Sequence, residues 1–119
     1  MNITRPSLAD GETYIGIIGN QHGHVYHLIR LPGDNDDATF TDALKWAKSI
    51  GGDLPSRIEQ AMLWADRRDQ FRKDWYWSNE VGHVNTNYVW YQCFVLGQQD
   101  ATRKADKIRA IAVRRLVIE

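Results

Sequence analysis

Residues 51–60 read Gly51-Gly52-Asp53-Leu54-Pro55-Ser56-Arg57-Ile58-Glu59-Gln60 and mark the junction of two helices. Gly51-Gly52 supplies the left-handed conformation that ends a helix. Upstream, Phe40, Ala43, Leu44, Ala47 and Ile50 recur at helical spacing, so a first helix runs from near Thr39 to the glycines. Thr39-Phe40-Thr41-Asp42 is its start signal, because a threonine hydroxyl can accept from the free N–H groups of a first turn. Downstream, Ser56 and Glu59 have the spacing of a capping box, with Pro55 just ahead. A second helix follows. Ile58, Ala61, Met62 and Ala65 predict its buried face, widened by Leu63 and Trp64. The charged run from Asp66 to Asp74, broken by Phe71, predicts a frayed end and an exposed turn.

On both sides of the helices the pattern changes to strands. Glu12 to Ile18 and His24 to Leu31 are rich in β-branched residues or alternate. Gly19-Asn20-Gln21-His22-Gly23 between them has hairpin length. Leu31 to Asp37 predicts a break in regular structure. After the helices, Trp75 to Ser78, Tyr88 to Val95 and Ile108 to Ile118 predict three strands. In the middle one, Tyr88, Trp90, Gln92 and Phe94 share one face, and Val89, Tyr91, Cys93 and Val95 the other. Val81 to Asn87 and Gly97 to Lys107 predict polar loops, and residues 1–11 a flexible or edge segment. Strands, two helices and more strands make a single α+β domain over residues 1–119.

The bulk numbers narrow the class. A chain of 119 residues can bury one core without disulfides. With one cysteine, Cys93, neither an intrachain disulfide nor a cysteine zinc cluster is expected. Zero net charge provides no global attraction to nucleic acid or to a membrane surface. The start lacks the apolar core of a signal peptide, and no apolar run is long enough to span a bilayer. The expectation is a cytoplasmic or virion-associated protein with no membrane insertion.

Taken together, several blocks resemble a known family. They are the hairpin Tyr14 to Leu31 with Leu31-Pro32-Gly33; Gly51 to Gln60; Trp75-Tyr76-Trp77-Ser78 with Glu80; Trp90-Tyr91-Gln92 with Phe94 and Gly97; and Ala112-Val113-Arg114-Arg115. The set resembles phage, prophage and bacterial domains of C-type-lectin-like fold, similar to the target proteins of diversity-generating retroelements. The resemblance implies antiparallel sheets flanked by two α-helices, with the chain ends meeting in one sheet. It also implies a ligand-facing surface between the Trp-Tyr-Trp strand and the last strand, here Asn79 to Arg103. Relatives of the tropism type use that surface to bind a receptor on the host cell. Two departures limit the inference. The Glu-Pro-Asn and Gln-Pro-Asp triplets of calcium-dependent lectins are absent, and a single cysteine does not support formylglycine-generating chemistry.

The expected ligand-binding set is Asn79, Glu80, Asn85, Asn87, Tyr88, Trp90, Gln92, Gln98, Gln99 and Arg103. It mixes flat rings with neutral hydrogen-bonding groups, as adaptable binding surfaces do. A protein or carbohydrate receptor is the expected partner, and homo-oligomerisation through the aromatic face is the alternative. No catalytic residue, metal or cofactor is expected. His22, His24 and His27 have metal-like spacing, but a strand turns His24 and His27 to opposite faces, which favours a solvated hairpin tip. Cys93 could act as a nucleophile beside His83, but a mid-strand cysteine is more often buried and inert. Asp34, Asp36 and Asp37 lack the rest of a calcium loop. Arg103, Lys104, Lys107, Arg109, Arg114 and Arg115 are interleaved with Asp100 and Asp106, which disfavours nucleic acid. The Arg114-Arg115 pair is expected to split, one to solvent and one to an ion pair.

Overall fold

The computed structural model describes residues 3–119, so the first two positions of the expected flexible segment lie outside it. In chain order the elements are β1 (Thr13–Gly19), β2 (Val25–Arg30), β3 (Asn35–Ala38), α1 (Phe40–Ser49), α2 (Arg57–Arg67), β4 (Trp75–Val81), β5 (Tyr88–Cys93), β6 (Gln99–Arg103), β7 (Ile108–Ala110) and β8 (Val113–Val117). They form a compact α+β domain with a three-stranded sheet, β1-β2-β8, and a five-stranded sheet, β3-β7-β4-β5-β6. Pairing is antiparallel except between β4 and β7, which meet in parallel at Tyr76 and Arg109.

The hairpin forms where its tip residues demand it. Asn20 Oδ1 accepts from the backbone of His22 and His24, and Gly23 takes a φ of 81° that a side chain would resist. The last strand then returns to the first hairpin, with Leu28 opposite Arg115 and Arg30 opposite Val113. Residues 3–12 pair with no strand, but they are tied to β8. Arg114 reaches both carboxylate oxygens of Glu12, at 2.8 and 2.9 Å, and the Ser7 carbonyl.

α1 follows its predicted pattern. Thr39 Oγ1 accepts from Asp42 N–H, Phe40, Ala43 and Ala47 are buried, and Gly51 closes the end at a φ of 86°. This face packs on Trp77, Leu54 and Val89 to make one half of the core. The other half gathers Leu28, Leu63, Tyr76, Phe94 and Ile111 between α2 and the three-stranded sheet.

α2 starts where expected, with both bonds of the Ser56–Glu59 box formed, but buries a different face. Ile58, Ala61 and Ala65 are exposed and Met62 is half-buried, whereas Glu59, Gln60 and Leu63 are inside. The reason is polar pairing. Gln60 Nε2 donates to the carbonyls of Tyr76 and Trp77, both at 3.0 Å, and Glu59 meets Arg115. These bonds offset the desolvation that would otherwise keep such residues out.

Three expected loops or strands also change. Asn35–Ala38 is a short strand rather than part of a break, because its backbone pairs with β7. The expected loop from Gly97 to Lys107 contains β6, a polar edge strand on β5. The expected strand from Ile108 to Ile118 divides at Ile111-Ala112, so that β7 and β8 serve different sheets. Arg114 and Arg115 both form ion pairs, because Glu12 and Asp53–Glu59 lie on opposite sides of β8.

Candidate functional site

Strand alternation brings half of the expected site residues onto one face. Across β5 and β6, Tyr88 lies opposite Arg103, Trp90 opposite Ala101 and Gln92 opposite Gln99. Side chains directly opposite on an antiparallel pair share a face. The alternate residues Asp100 and Thr102 therefore point the other way, with Val89 and Tyr91. Val89 and Tyr91 are buried, which fixes the register and turns Tyr88 outward.

The loop after β4 completes this face. Gly82 N–H donates to the Tyr88 carbonyl at 2.8 Å, Tyr88 N–H to that of Asn85, and Asn85 Oδ1 accepts from Asn87 N–H. Two adjoining depressions result. One, of about 300 Å3, is lined mainly by apolar groups of Val84, Tyr88, Trp90 and Ala101, with Gly82 and His83. The other, of about 390 Å3, is bounded by Asn85, Asn87, Tyr88, Arg103, Lys104 and Ala105. Tyr88, 37% exposed, stands between them.

Other expected residues serve the scaffold. Gln92 is only 1% exposed; its Nε2 donates to the carbonyls of Cys93 and Gly97, and its Oε1 accepts from Gln99 Nε2. Gln98 is exposed in the β5–β6 turn, and its carbonyl accepts from Cys93 N–H. Asn79 Nδ2 donates to Asp53 at 3.0 Å, and Glu80 accepts from Arg57 N–H at 2.7 Å.

Trp90 does not offer a free ring. The Arg57 guanidinium lies 3.6 Å from its centroid and donates to Gln99 Oε1, while Gln99 donates back to the Arg57 carbonyl. Sequence reasoning assigned Arg57 no role at the site. Its available signal is its position, directly after the cap that aims α2 at the sheet. A groove of about 380 Å3 beside it is bounded by Arg57, Ile58, Ala61, Glu80 and Gln99.

Behind the face lies a saturated ionic network. Arg115 donates to both oxygens of Glu59, to Asp53 and to the Leu54 carbonyl. Tyr26 donates to Glu59, and burial together with that carboxylate pushes its hydroxyl up to about 12. Burial alone would raise Asp53, but the bonds from Arg115 and Asn79 outweigh it and hold its carboxyl below the usual range. Glu12 is also lowered, chiefly by Arg114 and then by Ala9 N–H. Groups depressed on folding stabilise the fold above their unfolded pKa and lose that contribution as pH falls through the folded value. The melting temperature is therefore expected to drop by several degrees as pH falls from about 5 to about 3. Arg114→Met should flatten that slope by removing the Glu12 share, and an unchanged slope in a pH-resolved melt would contradict this.

The remaining motifs stay apart from the face. His24 is exposed beside Asn20, whereas His27 is buried and bonds the Tyr14 hydroxyl at 2.8 Å. Cys93 is buried opposite Trp75, at the far end of β5 from the loop that carries His83. Asp34 pairs with Arg109, while Asp36 and Asp37 are exposed. Among the described residues no group of three or more histidine, cysteine or acidic side chains converges on a common point, and no helix is long and apolar enough to cross a membrane. Comparison with protein-family models and with curated protein sequences gave no match.

Proposed function

We propose that the chain is a C-type-lectin-like binding domain that presents the outer face of β5 and β6, with the 82–87 loop, to a macromolecular ligand such as a receptor protein or surface glycan. One observation carries the recognition reading. Tyr88 stands exposed between two depressions, on a face fixed by the buried residues of the same strand. The return of β8 to the first hairpin and the two capped helices support the fold assignment. Recognition rather than catalysis is supported by the state of the ionic groups. Glu59, Asp53, Arg115 and Tyr26 are bonded to one another, and none of them lines either depression. By the family resemblance, such a domain belongs to a phage or prophage and meets its ligand at a bacterial surface.

Binding of the labelled protein to a panel of intact bacterial cells tests this. Some strains should bind, and Asn85→Ala/Tyr88→Ala should lose about tenfold or more, the scale of an aromatic contact residue. Both side chains are exposed and Asn85 gives up only the loop bond from Asn87 N–H, so a melt of the variant beside the parent separates a lost contact from a loosened loop. Equal binding by parent and variant would move the ligand surface elsewhere.

A structural, oligomer-forming role is favoured by a different surface. Ile17, Val25 and Leu116 lie together, each roughly 40% exposed, on the outer face of the three-stranded sheet. Light scattering on the eluting protein decides between them: a stable oligomer that Leu116→Lys dissociates supports this role, and a monomer at all concentrations rules it out.

A further inference from the structure

We infer that the Tyr88 face takes an anionic saccharide, with an acidic substituent held by Arg103 and Lys104 and a sugar ring lying against Tyr88; this deepens the recognition reading and rests on it. Charge is the first reason. The larger depression is bounded by two cations and no carboxylate. Among the described residues neither Arg103 nor Lys104 forms an ion pair, whereas Arg109, Arg114 and Arg115 all do. The nearby acids are turned away. Asp100 lies on the opposite face of β6, and Asp106 accepts from Thr102, which shares that face. A chain of zero net charge thus keeps a local positive surplus beside Tyr88.

The neighbouring groups select a sugar among anions. Tyr88 and Val84 give an apolar surface suited to the C–H face of a ring, and Val84 is fully exposed. Asn85, which borders both depressions, and Asn87, in the larger one, offer side-chain amides for hydroxyl groups. The depressions share Asn85 and Tyr88, so an extended ligand can occupy both. A single-stranded nucleic acid would want successive free rings for its bases. Here the next ring along the strand, Trp90, is covered by Arg57. Tyr88 and Trp90 lie about 7 Å apart along β5, so Arg57 adds a further fixed cation near the same face.

Fluorescence anisotropy with labelled tetragalacturonate, tetrasialate, maltotetraose, tetraglutamate and oligothymidylate separates the alternatives. At least one acidic saccharide should bind, more weakly as salt rises, and maltotetraose should not. Arg103→Gln/Lys104→Gln and, separately, Tyr88→Ala should each weaken binding about tenfold or more, as expected for losing a charge-assisted hydrogen bond or a ring contact. These side chains carry no bond that the fold depends on, and unchanged melting would verify that. Maltotetraose binding as tightly would overturn the role of charge. Tetraglutamate or oligothymidylate binding as tightly would reduce the face to a general polyanion surface and overturn the sugar assignment. If no saccharide binds, the saccharide inference falls. Tyr88-dependent cell binding would then leave the recognition reading intact with a protein ligand, and its absence would remove both.

Discussion

Replacing Arg115 with methionine is expected to destabilise the domain by about 3–5 kcal/mol, read from the urea midpoint. Glu59 is fully buried, and its carboxylate takes bonds from Ser56 N–H, Tyr26 and two nitrogens of Arg115. Without Arg115 that charge stays inside with no cation beside it, and Asp53 and the Leu54 carbonyl each lose a donor. The penalty comes from the unpaired charge more than from the lost contact. Glu59→Gln in the Arg115→Met background should therefore recover part of the loss. A double variant no more stable than the single one would show that the buried charge is not the cause.

Trp77→Ala should be of similar size, about 3–5 kcal/mol, because it empties the centre of the α1 half of the core. Trp77 has no exposed surface, meets Phe40 edge-on at 5.6 Å, and donates from Nε1 to the Ala38 carbonyl at 2.8 Å. One side chain thus joins β4, α1 and β3. Trp77→Phe keeps most of the packing and gives up chiefly the Ala38 bond, so its loss should be smaller, about 1–3 kcal/mol. Equal losses for the two variants in denaturant melts would contradict a role dominated by volume.

What the sequence disclosed follows the range of the forces involved. Thr39, Ser56–Glu59 and Gly51 act within a single turn of helix, and all three were legible. Alternation along β5 sorted its residues into two faces, but which face turns outward was not legible, because it is set by the burial of Val89 and Tyr91 against the core. The inward face of α2 was not legible either, because Glu59 and Gln60 are buried only by virtue of Arg115, Tyr76 and Trp77, which lie far along the chain. β3 and β6 were missed for a related reason. Their residues are polar, and they become strands because β7 and β5 offer them backbone partners. The same distance effect hid the cover that Arg57 gives Trp90, whereas Gln92 is buried by the turn that follows its own strand.

The return of β8 to the first hairpin has a consequence for how the domain is made. Arg114 and Glu12 are bonded across 102 positions of sequence. Closing so long a loop lowers chain entropy before any long-range contact rewards it, and topologies of this kind fold slowly. During synthesis the β1–β2 hairpin emerges early but waits for its third strand, with one edge open and half of the Glu59 network missing. The domain therefore reaches its native state only after β8 has left the ribosome, and its exposed β2 edge is the segment that most needs protection until then.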